Sequence, residues 1–239
     1  MANPQFSIII PVYNEENRIP KNIDEIFNFF KVRPESSEII FVNDGSKDQT
    51  EKILKNYLNK YQFKIISYPE NQGKGFAVRQ GALAAAGDWV VFFDIDLATP
   101  LSAFDYLLKV KDGADVVIGS RRLDKSQIKK SESKIRTFLG HGFTKISNLL
   151  VPGVTDFTCG FKCFSARAVK IIFPRARINR WGFDTELLYI ASLHKLKIVE
   201  MPVLWTHDSN SKVKVMNAVI SSFKELVQMK TNQIKGLYK

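Results

Sequence analysis

Five stretches of the chain, FSIIIPV, EIIFVN, FKIISY, WVVFFD and DVVIGS, are apolar almost without interruption, and a polar turn follows each. Apolar runs that do not alternate with polar residues suit strands covered on both faces, as in parallel α/β sheets. Between them the apolar residues recur at helical spacing: Ile19, Ile23, Ile26, Phe27 and Phe30, then Ile53, Leu54, Tyr57 and Leu58, then Gly75 to Ala86, then Leu101, Phe104, Leu107 and Leu108. This βαβ alternation predicts an α/β fold: a doubly wound, mostly parallel open sheet with helices on both faces.

After Ser120 the pattern changes. A basic stretch, RRLDKSQIKKSESKIR, leads into a helix whose apolar face is Phe138, Leu139, Phe143, Ile146, Leu149 and Leu150. A less regular second half follows, with a short strand at GFKCF, a helix from Phe183 to His194, a strand through KIVEMPVLW and a last helix from Val213 to Met229. With no internal repeat or low-complexity linker, residues 1–239 read as a single domain. Its parts are a regular half over 1–120, a less regular half over 121–208, and an amphipathic basic helix over 209–239.

Composition narrows the function. A chain that is 45% hydrophobic can bury a real core, and a net charge of +11 calls for an anionic partner: nucleotide, phospholipid surface or nucleic acid. Cys159 and Cys163 lack zinc-site spacing and read as reduced structural thiols, while His141, His194 and His207 share no triad or metal spacing. No apolar run approaches the roughly 18 residues that span a bilayer, and Met1 to Gln5 lacks a secretory pattern, so a cytoplasmic protein is expected.

In open parallel sheets ligands bind beyond the carboxyl ends of the strands. Here those ends read PVYNEEN, NDGSKDQT, PENQGKG, DIDLATP and GSRR. No G-x-G-x-x-G follows the first strand and no P-loop occurs, which removes dinucleotide oxidoreductases and P-loop NTPases. What remains is acidic Asp44, Asp94 and Asp96 beside basic Lys74, Arg121 and Arg122, a mixture suited to a metal-bound diphosphate. Asp is also common at strand ends because it hydrogen-bonds the following turn. Two carboxylates at positions i and i+2, however, can hold one Mg²⁺ or Mn²⁺ whose other ligands are water and substrate phosphate. Gly73 and Gly75 around Lys74 let backbone approach a ligand closely. Asp184 and Glu186 sit where acids favour a helix start, so capping alone would explain them.

The segments PVYNEE, VNDGSKDQT, NQGKGFA, DIDLATP, GSRR, TDFTCGFKCF and RWGFDTELLYIA, in this order, resemble the family 2 glycosyltransferases of GT-A fold. The similarity runs to about Trp205 and is strongest to the branch that moves a sugar from a nucleotide to polyprenyl or dolichyl phosphate, dolichyl-phosphate β-glucosyltransferases in particular. The resemblance implies that Pro11, Tyr13, Glu15, Asp44 and Lys74 contact the nucleotide, and that Asp94 and Asp96 bind the metal. It further implies that Arg121, Arg122 and Arg136 meet the acceptor phosphate, with Lys212 and His207 as stand-ins in the late loop, and that Asp156, Asp184 and Glu186 line the acceptor side. The chain departs from the family where Asn43 replaces the first acid of a common DDGS, and in lacking the membrane helices that most members of this branch carry.

The implied reaction is a single inverting displacement. A phosphate acceptor is largely dianionic at neutral pH and needs no base, whereas a hydroxyl acceptor would need Asp184 or Asp156 to take its proton. UDP-glucose and a polyprenyl phosphate are the expected substrates, with GDP-mannose or a saccharide hydroxyl as alternatives. Met216, Val219, Ile220, Phe223 and Val227 share a helical face ringed by Lys212, Lys214, Lys224 and Lys230, which suits either an anionic membrane surface at its cytoplasmic face or the protein's own core. A non-catalytic basic module is the rival of another class. Nucleic acid is not expected, because the basic run has no stacking aromatics before Phe138.

Overall fold

The computed structural model describes residues 3–130, 134–206 and 215–239, with backbone alone for 127–130, 134–139, 141 and 215–223. In chain order its elements are β1 (Phe6–Val12), α1 (Ile19–Lys31), β2 (Ser37–Asp44), α2 (Thr50–Tyr57), β3 (Lys64–Tyr68), α3 (Lys74–Ala84), β4 (Trp89–Phe92), α4 (Ala103–Val110) and β5 (Val116–Ser120). There follow β6 (Gln127–Lys130), α5 (Lys134–Ser147), β7 (Lys162–Ser165), α6 (Ala166–Ile172), α7 (Phe183–Leu193), β8 (Ile198–Pro202), β9 (Leu204–Thr206) and α8 (Val215–Ile234). Among the described residues seven strands form one sheet in the order β3-β2-β1-β4-β7-β5-β8, and β6 pairs with β9 apart from it.

Strands β3, β2, β1 and β4 are parallel, as their unbroken apolar runs predict, and β5 is parallel to β8. Strand β7 is the exception, lying antiparallel between β4 and β5. Alternation along β1 feeds two cores. Phe6, Ile8, Ile10 and Val12 pack with α1, α2 and α4 residues such as Ile23, Leu54 and Phe104. Ile9 faces the other side, with Val78, Ala82, Ile172 and Leu188 of α3, α6 and α7. Gly81 is a packing residue: a Cβ there would strike Ile9, so α3 lies close on the sheet.

Three expectations change in the second half. Helix α5 ends at Ser147, leaving Leu149 outside it and 80% exposed, while Phe143 is buried. The last helix continues to Ile234 rather than ending at Met229; it packs through Leu226 and Met229, while Val227 is 69% exposed. Helix α6 was not foreseen; Ser165 caps it by accepting from Ala168 N. Val213 and the late loop with His207 and Lys212 lie outside the described residues. Cys159 and Cys163 are buried, unpaired thiols whose pKa values burial raises.

Candidate active site

The loops after β1 and β2 are laced together. Asn14 N donates to Ser46 Oγ at 2.9 Å, Glu15 N to Thr50 Oγ1 at 2.8 Å, and Lys47 N to Asn14 Oδ1 at 2.8 Å. Pro11 stays buried in β1, Tyr13 emerges 42% exposed, and Glu15 accepts two bonds from Arg18, at 2.8 and 2.9 Å. Asn43 donates to Ser67 Oγ at 3.3 Å and accepts from Ser46 N at 3.2 Å, two roles that an ionised Asp could not combine.

Asp44 is 3% exposed and grips the loop between β3 and α3. Its carboxylate accepts from Gln72 N at 2.8 Å, Gly73 N at 2.9 Å and Asn71 Nδ2 at 2.7 Å. On its far side this loop is held by Asn179, whose carbonyl accepts from Gly75 N at 2.8 Å. A Cβ on Gly73 would collide with that carbonyl, and Gly73 has φ of 107°, so a glycine is required on both counts. The clamp places Lys74, the first residue of α3.

Strand β4 delivers Phe93 and Ile95 to the core, 2% and 3% exposed, which sends Asp94 and Asp96 together toward the ligand edge. Lys74 Nζ lies 2.6 Å from Asp94 Oδ1. Asp96 accepts from Ala98 N at 3.0 Å in a turn that holds Leu97 at φ of 51°, a conformation costly for a branched residue. Burial and then the charge of Asp94 raise the Asp96 pKa, against the bond from Ala98 N and the charges of Lys74 and Arg18. Burial opposes the charge on Lys74, but Asp94, Asp184 and Asp96 outweigh it and raise its pKa.

Beyond β5, Arg121 forms a two-pronged ion pair with Asp156, Nε to Oδ2 at 2.7 Å and Nη2 to Oδ1 at 2.9 Å, and lies over the Trp205 ring. Arg122 donates to Thr144 Oγ1 at 2.5 Å and to Thr155 O at 2.9 Å. Glu200 supports both, accepting from Thr155 N at 3.0 Å and Asp156 N at 3.2 Å. Arg136 lies on α5, where backbone alone is described. Asp184 and Glu186 are both engaged: Asp184 receives Lys162 Nζ at 2.5 Å, and Glu186 accepts from Ile178 N at 2.8 Å and Tyr238 Oη at 2.5 Å. Burial raises both carboxyls, against Lys162 and Lys74 at Asp184 and chiefly against Tyr238 at Glu186.

Burial also raises the Asp156 carboxyl, yet Arg121, with help from Arg122, brings its pKa down to about 2. Held below the ordinary carboxylate value, it contributes stability that is complete above the unfolded pKa and lost as pH falls through about 2. The contribution is on the order of 2 kcal/mol. Urea unfolding between pH values of about 5 and 2 should show this acid loss in the parent and a flatter profile in Asp156→Asn; equal slopes would remove the ion pair's role.

Residues 7–173 match the family model for glycosyl transferase family 2. The chain belongs to that family. It is a glycosyltransferase. It is 34% identical to the dolichyl-phosphate beta-glucosyltransferase of Dictyostelium discoideum, over 99% of this chain and 77% of that one. With the Homo sapiens dolichyl-phosphate beta-glucosyltransferase it again shares 34% identity, over 98% of this chain and 78% of that one.

Two solved structures share its GT-A fold. Glucosyl-3-phosphoglycerate synthase from Mycobacterium tuberculosis, in complex with Mn²⁺, UDP-glucose and phosphoglyceric acid, aligns with a TM-score of 0.70 at 20% identity, over 95% of this chain and 79% of that one. A mannosyltransferase from Pyrobaculum calidifontis, in complex with GDP-mannose and Mn²⁺, aligns with a TM-score of 0.65 at 17% identity, over 98% of this chain and 65% of that one.

The structure thus brings Lys74, Asp94 and Asp96 together, and joins Arg121 to Asp156 on a separate segment. Residues not singled out from the sequence complete the arrangement: Asn71 and Gln72 under Asp44, Glu200 under Asp156, and Lys162 under Asp184. Only Lys162 left a signal, as a lone charge in the otherwise apolar strand GFKCF.

Proposed function

We propose that the chain transfers glucose from UDP-glucose to the phosphate of a polyprenyl or dolichyl lipid, inverting the anomeric carbon, with a divalent cation held by Asp94 and Asp96. The observation that carries this reading is the cluster at the exit of β4, where two carboxylates and the Lys74 ammonium meet beyond the parallel strands. The residues suit such a cation. Mg²⁺ and Mn²⁺ bind through one or two carboxylates plus phosphate oxygens, and the two Asp carboxylates at the exit of β4 supply such a pair. When bound, the cation neutralises charge on the departing diphosphate. Similarity to dolichyl-phosphate beta-glucosyltransferases over nearly the whole chain supports the sugar and the acceptor.

Lys74 exchanges part of its pairing with Asp94 for the donor's phosphates and stabilises the leaving group. Pro11, Tyr13, Glu15 and Asp44 border the nucleotide, and Asp44 acts chiefly by shaping the loop that carries Lys74. Arg121, Arg122, Arg136 and Lys212 supply positive charge for the acceptor phosphate, with Asp156 holding Arg121 in place. An oxygen of the acceptor dianion forms the new bond to the anomeric carbon as the bond to the diphosphate breaks, and no proton has to be removed. Among the described residues, no helix is long and apolar enough to cross a membrane. Val227 and Ile234, exposed among Lys224, Lys230 and Lys235, suit peripheral contact with an anionic leaflet.

The test is transfer of labelled sugar from UDP-glucose or GDP-mannose to polyprenyl phosphate or to the matching polyprenol, in vesicles with and without anionic lipid. Product from UDP-glucose and the phosphate alone, faster on anionic vesicles and lost on chelation, is expected. Product from the alcohol alone would defeat the acceptor, product from GDP-mannose alone would defeat the donor, and indifference to anionic lipid would defeat the membrane contact.

A further inference from the structure

Because β7 runs antiparallel to its neighbours, its first residue, not its last, reaches the ligand-binding edge. That residue is Lys162, in register with Phe92 two positions before Asp94. Lys162 is 0% exposed. Its ammonium donates to Asp184 Oδ1 at 2.5 Å and to Cys159 O at 2.6 Å, and lies 5.6 Å from the centre of the Phe92 ring. Burying such a pair costs several kcal/mol per ion before pairing offsets it, so an apolar pair would serve stability as well or better.

The surroundings give the pair another use. Gly75, next to Lys74, has no room for a side chain because Phe183, next to Asp184, occupies the place, so the starts of α3 and α7 meet and Asp184 acts on the Lys74 charge; Lys74 is in turn ion-paired to Asp94 at 2.6 Å. Gly160, two residues before Lys162, has no room for a side chain because Asp94 Oδ2 occupies the place where its Cβ would go. Charge therefore alternates from the buried strand to the ligand edge: Lys162, Asp184, Lys74, Asp94.

We propose that Lys162 is a positioning residue for the transfer, acting through Asp184: it holds that carboxylate as the fixed counter-charge of Lys74 and withholds it from taking a proton from the acceptor. The proposal rests on the donor-site reading above. Lys162→Met keeps the length of the side chain and removes its charge, which strands a buried carboxylate whose remaining cation is Lys74. Lys74 is then drawn from the diphosphate position. Adding Asp184→Asn removes the stranded charge.

The experiment measures binding of UDP with Mn²⁺ by calorimetry, melting temperature, and steady-state transfer for the full chain and both variants, below every melting point. Lys162→Met should weaken UDP binding about 10-fold and lower kcat about 100-fold, and the double variant should regain roughly half of each loss on a logarithmic scale, as expected when the damage is an unpaired buried charge. A merely structural lysine would shift the melting temperature and leave UDP affinity at the parent value, which overturns the proposal. If Lys162→Met does not fold, the double variant decides: about 3-fold weaker UDP binding supports the proposal, and parental affinity ends it. If UDP affinity falls as stated while the parent transfers nothing to polyprenyl phosphate, the acceptor reading fails and the role of Lys162 stands. Comparable parental transfer to a polyprenol hydroxyl ends the withholding of Asp184. Should the parent bind GDP instead of UDP, the donor reading fails and the same titrations with GDP judge Lys162.

Discussion

Asp94→Asn and Asp96→Asn should each lower metal-dependent transfer at least 1000-fold, about 4 kcal/mol of transition-state stabilisation, without unfolding the protein. The loss is large because two carboxylates share the exit of β4 and neither has a substitute among the described residues, where no group of three acids, histidines or cysteines gathers to hold a cation. The structural cost is small for separate reasons. The Lys74–Asp94 pair is a third exposed on both sides, the class of ion pair that contributes about 1 kcal/mol or less. At Asp96 the sign reverses. Its pKa is raised, so the ionised carboxylate opposes folding at neutral pH, and an amide that retains the bond from Ala98 N should leave the melting temperature unchanged or higher. Parallel calorimetric titrations with Mn²⁺ and UDP separate the two effects. Full turnover in either variant, or undiminished parental turnover under chelation, would show that the carboxylates are ordinary turn residues.

Asp44→Ala should act in the opposite way, with stability falling first. The buried carboxylate accepts from two backbone N–H groups and one side-chain amide of residues 71–73; alanine leaves the N–H groups of Gln72 and Gly73 without their acceptor, while Asn71 Nδ2 keeps only the residue-44 carbonyl, at 3.1 Å. Hydrogen bonds to a charged group contribute about 1.5–3 kcal/mol each and are not additive, so a net loss of about 3 kcal/mol is expected. For a chain of this size that lowers the melting temperature by about 6–12 °C. Lys74 begins on the same loop, so the KM for the donor should rise as well, and a displacement of about 1 Å there can cost about 100-fold in rate. Asp44→Asn should fall between, since it keeps one acceptor oxygen and turns an NH₂ toward a donor. A parental melting temperature in Asp44→Ala would mean that the loop is held from the Asn179 side alone.

How much could be read in advance depended on whether a residue's partner lay nearby in sequence. Ile8, Ile40 and Val91 announced buried parallel strands because both faces of each strand are covered, and the polar residues after them marked the ligand edge. Asp94 and Asp96 were legible for the same reason. The pairing of Asp156 with Arg121 was not, because it joins residues 35 apart whose meeting depends on the course of the chain between β5 and β7. The antiparallel insertion of β7 escaped because GFKCF has strand character but nothing in it specifies direction. The face of α8 stayed open between membrane surface and core because Val227 belongs to one apolar stripe and Leu226 with Met229 to another, and spacing alone does not say which one the core takes.

The insertion of β7 also bears on how such an enzyme diversifies. Ile118 of β5 and Lys162 of β7 are paired neighbours, and the chain leaves the sheet after Ser120 and rejoins it at Lys162, so residues 121–161 form an excursion from one narrow neck. On the proposed reading Arg121, Arg122, Arg136 and Asp156 all belong to this excursion, so exchange of its outer part, short of Cys159 and Gly160, should change the acceptor while leaving the strand register intact.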